Sequence, residues 1–353
     1  MINENLNSIL SKDSPSKEDI VFLLSLSNEE EIRELFSKAQ QVRKEFCGDE
    51  IHLRGIIEIS NNCEQDCLYC GLRISNFELH RYRMSKKEIL ETAEQIANAG
   101  IKTIVLQSGE DFEYECDFIS DLIKTIKNNF EVAITLSLGE RGFFEYDEWL
   151  KAGADRYLLK HETANDILYY KLHNKQKLEE RLLHLRYLKA IGFQTGSGNI
   201  IGLPGQTLED IADDILLCKE LDCDMASFSP FITSEQTPFR NLESADLNLA
   251  LKTMAVARIV LKDVHIPATT ALSTLNKNGR KLGLDAGANV IMPNFTPEFY
   301  RRKYLIYNKK DISENDAGIT LAEIKNVISS SGIKISDSYG HSLKHKPEEV
   351  KAV

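Results

Sequence analysis

Three cysteines, Cys63, Cys67 and Cys70, fall in the string CEQDCLYC, a C-x3-C-x2-C spacing. Thiolates are soft ligands that suit iron–sulfur clusters, zinc or copper(I). The nearest further cysteine or histidine residues are His80 and Cys116, and neither has zinc-ribbon spacing. A structural zinc site takes four protein ligands. Three thiols in one loop suit a cubane cluster better, with one iron left open for a substrate or cofactor. A zinc knuckle completed by a distant fourth ligand is the alternative.

The loop needs a frame. An apolar run, IHLRGIIEI (51–59), precedes it, and Asn61-Asn62 ends that run. From there short β-rich runs alternate with amphipathic helical stretches. Strands are expected at 51–59, 102–107, 131–138, 155–161, 194–201, 225–231, 265–271 and 288–293, with helices between them, among them 86–100, 118–129 and 208–221. Eight such units in a row predict an α/β chain folded as a complete (β/α)8 TIM-type barrel, with a doubly wound open sheet as the alternative. Residues 16–46 read as helix in two pieces, the second opened by a Ser27–Glu30 capping box and ended by Gly48. The expected organisation is an N-terminal helical extension (1–50) covering one end of the barrel, the barrel itself (51–308), and a C-terminal extension (309–353) with a helix at 321–331.

Active sites of such barrels sit at the C-terminal ends of the strands. That end gathers the cysteine loop, Ser108-Gly109-Glu110, Ser137, Glu162-Thr163, Gly202-Leu-Pro-Gly205 and Asn294-Phe-Thr-Pro. His52, Arg54 and Glu58 alternate along one face of the first strand, which predicts a cavity or ligand inside the barrel. The plainer reading has them facing the helices and pairing locally.

The chain has 353 residues, 42% of them hydrophobic, and a net charge of −11, which argues against a nucleic-acid or anionic-membrane partner. No apolar run reaches membrane-span length, and MINENLNSILSKDSPSKED has neither a basic n-region nor an apolar h-region, so the expectation is a cytoplasmic protein. Cys47, Cys116, Cys218 and Cys223 are scattered and read as buried or idle thiols.

A C-x3-C-x2-C loop after the first strand of a (β/α) barrel resembles the radical S-adenosylmethionine (SAM) enzymes. In that family three cysteines hold a [4Fe–4S] cluster, SAM chelates the open iron, and an electron cleaves SAM to methionine and a 5′-deoxyadenosyl radical. By this resemblance Tyr69 packs by the adenine. Ser108-Gly109-Glu110 resembles the family's GGE element at the methionyl amine, with serine replacing its first glycine. Gly198-Asn-Ile200-Ile-Gly202 resembles the G-x-I-x-G element, whose backbone lies beside the adenine.

The strings CLYCGLR, RYRM, TIVLQSGED, TLSLGE, GADRYLLKHETAN, GLPGQT, IPATTA and GANVIMPNFTP follow in order. Together they resemble the HydE family, radical SAM maturases of [FeFe]-hydrogenase, over about residues 15–308. Biotin synthase needs a second cluster held by strand cysteines, whereas Cys116, Cys218 and Cys223 fall in helical or loop positions. Methylornithine synthase shares the plan but not the QSGED, HETAN and GLPGQT strings.

The HydE resemblance implies assembly of the diiron subcluster of the hydrogenase H-cluster. The substrate would be a cysteine-bound Fe(CO)2CN precursor made by HydG, attacked at sulfur by the adenosyl radical, with the product passing towards HydF. Reduced flavodoxin or ferredoxin would donate the electron. Ser137, Glu162, Arg181 and Tyr304 would join the residues that hold SAM. Arg54, Gln107, Thr135, Thr269, Thr270 and Met292 would line the substrate cavity. Glu162 could instead cap the following helix, Arg181 could be solvated, Thr269-Thr270 could be plain strand residues, Met292 core filler and Tyr304 surface. His161 reads as structural. Lys160 stands where some relatives have arginine, which bears on anion binding. The second cluster some members carry in the tail is not expected, since no cysteine follows Cys223. Another small amino-acid-like substrate, or a non-catalytic zinc scaffold, are the competing functions.

Overall fold

A computed structural model describes residues 4–307, 317–330 and 332–344. Ten strands run in parallel: β1 (Glu50–Leu53), β2 (Gly55–Ser60), β3 (Thr103–Ser108), β4 (Ala133–Ser137), β5 (Arg156–Leu158), β6 (Gln194–Ile201), β7 (Met225–Pro230), β8 (Pro267–Ala268), β9 (Val290–Ile291) and β10 (Lys334–Ile335). They form two sheets, β2-β3-β4-β5-β6-β7 and β10-β1-β9-β8, rather than one uninterrupted ring. Single bridges, Met225 with His265 and Ile56 with Asn294, connect the two.

The first expected strand is broken at Arg54. Before it, His52 and Leu53 pair with Val290 and Ile291. After it, Gly55 to Ser60 pair with β3. The chain thus changes neighbours, while Arg54 N still donates to Ile291 O (3.0 Å) and Ile56 N to Pro293 O (2.9 Å). Residues 265–271 are not one strand either: β8 covers two residues, and Thr270 begins a helix, Thr270–Leu275.

Helices alternate with the strands and bury one face each. Lys86–Asn98 starts at a Ser85–Glu88 capping box and buries Ile89, Ala93 and Ile96. Leu208–Glu220 starts at a Thr207–Asp210 box and buries Ile211, Ile215 and Cys218. Leu247–Leu261 is buried from Ala250 onward, and the N-terminal helices Lys17–Ser25 and Glu29–Cys47 explain why: they pack on its outer side. The lead-in therefore covers the outer wall and not one end. Its second helix is capped by Asn28, whose Oδ1 accepts from Glu30 N and Glu31 N (2.8 and 3.2 Å), so the expected Ser27 box does not form. Gly48 closes it as expected.

The tail helix runs Ala317–Ser330; residues 308–316, 331 and 345–353 of the expected C-terminal extension lie outside the described residues. Beyond the helix, β10 pairs with β1, and residues 336–344 cross the N-terminal end of the strands. There Tyr339 O accepts from Thr103 Oγ1 (2.9 Å) and Arg156 Nη2 (2.6 Å), and Gly340 O from Arg54 Nη2 (3.2 Å). Among the described residues no helix is long and apolar enough to cross a membrane.

Candidate functional site

The cysteine loop leaves β2 at the C-terminal end of the strands and is tied down mainly through backbone groups. Arg81 Nη1 donates to Asn61 O (2.6 Å) and Leu72 O (2.8 Å), and its Nη2 to Arg73 O (2.7 Å). Gly71 N donates to Ile306 O (2.8 Å), Leu68 N to Leu172 O (2.9 Å) and Glu64 N to Glu110 O (3.0 Å). At the loop's exit Arg83 grips Asp111 with Nε (2.7 Å) and Nη2 (2.8 Å), and Asp111 also accepts from Ser60 Oγ (2.5 Å). Three segments far apart in sequence thus hold eight residues in one conformation.

Burial pushes all three thiols up in pKa. Cys70 reaches about 12, through burial first and then the nearby Cys63. Cys67 is raised well above its ordinary value too, by burial and then by Cys70 and Cys63. Thiols so placed stay neutral unless a cation among them compensates three thiolates. A cubane cluster binds each thiolate through a different iron, so the donor set fits that group. Close approach fits it too: a Cβ on Gly109 would lie 2.3 Å from Asn62 O and 2.6 Å from Cys63 Cβ, so only glycine lets β3 pass this near the loop.

The residues expected to hold SAM fall into two groups. Tyr69 and Ile200 both pack against a small apolar cluster of Leu168, Leu172, Leu203 and Phe231, separate from the main core. Tyr69 OH lies 2.9 Å from His173 Nε2, and His173 Nδ1 lies 3.0 Å from Tyr169 O. A carbonyl only accepts, so Nδ1 carries the proton and the phenol donates to Nε2. Burial, then Arg181, pulls the His173 pKa down to about 4, which keeps the ring neutral.

The second group is charged. Arg181 is 7% exposed, not solvated. It pairs with Glu140, donates to Lys160 O (2.7 Å) and lies 3.8 Å from Glu110 Oε1. Lys160 Nζ in turn lies 2.8 Å from Glu162 Oε2. Glu110 is committed to this frame: it accepts from Gln65 Nε2 and, at 2.9 Å, from Glu140 N, and burial raises its pKa against the pull of Arg181. Glu162 does not cap the next helix, because Asn165 Oδ1 accepts from Ile167 N and Leu168 N (both 3.0 Å). It instead takes a left-handed φ of +65°, a strain that a non-glycine residue keeps only when its surroundings enforce it. Ser108 turns its hydroxyl back to Gly109 O (2.6 Å), and Ser137 ends β4 half-buried beside Gln107. Tyr304 is buried, with Gln107 Nε2 donating to its hydroxyl (3.2 Å).

Of the expected cavity residues, Arg54, Thr135 and Met292 line one cavity of about 20 Å³, space for about one water. Arg54 Nε and Thr135 Oγ1 face no hydrogen-bond partner, nor does Thr269 Oγ1. Thr269, Thr270 and Gln107 do not line that cavity; the two threonines stand at the end of β8, where the helix Thr270–Leu275 begins. Sequence reasoning missed Gln65, Glu140, His173 and Asp214. Only Asp214 left a trace, as an acid on the buried face of Leu208–Glu220 beside Ile211 and Ile215.

The family model described as the Radical SAM superfamily matches residues 57–218. The [FeFe] hydrogenase maturase subunit HydE of Thermotoga maritima is 51% identical over 276 residues, 78% of this chain and 79% of the relative. A 3-methylornithine synthase of Methanosarcina acetivorans is 30% identical over 306 residues, 86% of each chain. Among solved structures, methylornithine synthase (PylB) superposes with a TM-score of 0.82 at 24% identity, over 94% of this chain and 97% of that one, a likeness of fold. Identical at half of the aligned positions across more than three quarters of both chains, the protein belongs to the HydE family of radical SAM enzymes.

Proposed function

We propose that this enzyme matures [FeFe]-hydrogenase by acting on a cysteine-bound Fe(CO)2CN precursor supplied by HydG, in the cytoplasm, with HydF downstream and a reduced flavodoxin or ferredoxin as electron donor. The observation that carries the reading is the three-thiol loop at the strands' C-terminal ends, in a chain 51% identical to a HydE. Membership of the radical SAM superfamily implies a [4Fe–4S] cluster and SAM. When bound, these supply reductive cleavage of SAM to a carbon radical.

The chain's own residues would then do the following. Cys63, Cys67 and Cys70 hold the cluster, and the bonds of Arg81 and Arg83 keep their loop in place. Tyr69, fixed by neutral His173, and Ile200 flank the adenine. Glu110, Glu162 and Arg181 surround the polar end of SAM, with Ser108, Gly109, Ser137 and Tyr304 around them. Gln107, Thr269 and Thr270 line the substrate's chamber, and Arg54, Thr135 and Met292 form its floor. The unpartnered donors there, Arg54 Nε, Thr135 Oγ1 and Thr269 Oγ1, suit a ligand rich in acceptors, such as cyanide or a carboxylate. The two sheets act as one barrel, linked by the bridges at Met225 and Ile56 and shielding the radical from solvent.

The test is maturation itself. Apo-hydrogenase is incubated anaerobically with HydG, HydF, SAM, reductant and this protein. Hydrogen evolution that depends on this protein and is lost in Cys67→Ser supports the reading. Formation of 5′-deoxyadenosine with no hydrogenase activation would instead favour a radical enzyme acting on another small substrate.

A further inference from the structure

HETAN and GLPGQT mark this chain as a sequence, yet Glu162 is the one residue in them with a place in the reading above. The structure joins the two strings through a carboxylate that lies in neither. Asp214 projects from the buried face of Leu208–Glu220 and is fully buried. Its Oδ1 accepts from Ala164 N (2.5 Å) and lies 3.5 Å from His161 Nε2. Its Oδ2 accepts from Asn199 Nδ2 (2.5 Å) and Gln206 Nε2 (3.2 Å). None of these partners is a lysine or arginine. Gln206 extends the network: its Oε1 accepts from Gly202 N (2.7 Å), and its Nε2 also donates to Ile200 O (3.0 Å). On the far side His161 Nδ1 lies 2.9 Å from Ser197 Oγ.

What this network encloses is the strained segment. His161 and Ala164 bracket Glu162, with its φ of +65°. Glu162 N donates to Gly198 O (3.0 Å), and Glu162 O accepts from Ile200 N (3.0 Å). Asp214 thus grips the segment at Ala164, Ser197 Oγ holds it at His161, whose Nε2 makes no hydrogen bond, and β6 is stitched to its middle. Burying a carboxylate is costly unless its oxygens are hydrogen-bonded, and the bonds from Ala164, Asn199 and Gln206 fix one backbone arrangement.

We propose that Asp214 is a positioning residue for SAM. It holds Glu162 in its left-handed conformation and Ile200 in register, so that both face the mouth together. This rests on the SAM-binding reading of Glu162 and Ile200. Asp214→Asn replaces one acceptor oxygen with a donor, so that either Ala164 N or Asn199 Nδ2 loses its acceptor and the segment relaxes away from SAM. The cysteine loop, held by other bonds, stays as it is.

The experiment compares wild type with Asp214→Asn, Gln206→Met and a control, Thr253→Val. Thr253 is buried in Leu247–Leu261, and among the described residues its hydroxyl bonds within that helix, to Leu249 O (2.8 Å). Each protein is reconstituted anaerobically. Iron content, the EPR spectrum without SAM, the melting temperature and SAM affinity by equilibrium dialysis are recorded. Asp214→Asn and Gln206→Met are expected to keep the cluster and its SAM-free spectrum and to bind SAM about tenfold more weakly or worse. Thr253→Val is expected to melt lower and bind SAM as wild type does. Gln206→Met decides alone should Asp214→Asn not fold. Wild-type affinity in the variants, or an equal loss in Thr253→Val, overturns the proposal. A wild type that binds no SAM overturns the reading beneath it, and the two failures are thereby told apart.

Discussion

Gly139→Ala has a cost that the structure divides into two parts. Gly139 follows β4 with φ +75°. An L-residue held in that region incurs about 1–2 kcal/mol. The second part is steric. A Cβ at Gly139 would lie 1.9 Å from Glu110 Cγ and 2.7 Å from its Cδ and Oε1, so the Glu110 side chain has to leave. Leaving, it gives up the bond from Glu140 N (2.9 Å) and the contact with Gln65. A hydrogen bond to a charged group contributes about 1.5–3 kcal/mol. Together the substitution should cost about 2.5–5 kcal/mol. In a Glu110→Ala background the three clashing atoms are gone and only the conformational part remains, about 1–2 kcal/mol. The double-mutant cycle should therefore give a coupling of about 2 kcal/mol. Urea unfolding of the four apo-proteins, followed by circular dichroism, reads it directly. Equal costs of Gly139→Ala in both backgrounds would refute the contact and the role given to Glu110 as part of this frame.

Three more outcomes are expected. His173 stays neutral in the fold with its pKa pulled from 6.5 to about 4, so the unfolded chain takes up its proton first as pH falls. Stability should thus drop between about pH 6.5 and pH 4, and His173→Phe should remove up to about 3 kcal/mol of that drop, seen in urea midpoints across pH. The same variant frees the Tyr69 hydroxyl and should weaken SAM binding several-fold at pH 7.5, measured by equilibrium dialysis. Arg156→Met removes one of the two donors to Tyr339 O and should cost about 1–3 kcal/mol while speeding hydrogen exchange in residues 336–344; the cluster's EPR spectrum should not change.

Much of the frame is visible in the chain because its periodicity is local. The strand at 194–201 has the expected bounds, and the helices expected at 86–100 and 208–221 start at Lys86 and Leu208 as expected. Legibility ends where neighbours decide. Nothing local marks Arg54 as the point at which the first strand exchanges β9 for β3. Thr269 and Thr270 look like strand residues, yet the chain turns into a helix there. Ser27 and Asn28 are both good caps, and only the geometry selects the second. In the site, the cysteine spacing is self-announcing because a loop carries its ligands on one short segment. Arg181 looks solvated on its charged helix and is buried because Glu140 and Glu110 meet it from other strands' loops. His173 lies 104 positions from Tyr69, a distance no pattern bridges.

The central claim is a cluster on Cys63, Cys67 and Cys70 with an iron that SAM can reach. The measurement is EPR of the anaerobically reconstituted, reduced protein with and without SAM, alongside Cys67→Ser. The account predicts a reduced [4Fe–4S] signal that changes when SAM is added and is absent in Cys67→Ser. Stoichiometric zinc with no cluster signal, or a cluster signal that persists unchanged in Cys67→Ser, would contradict it.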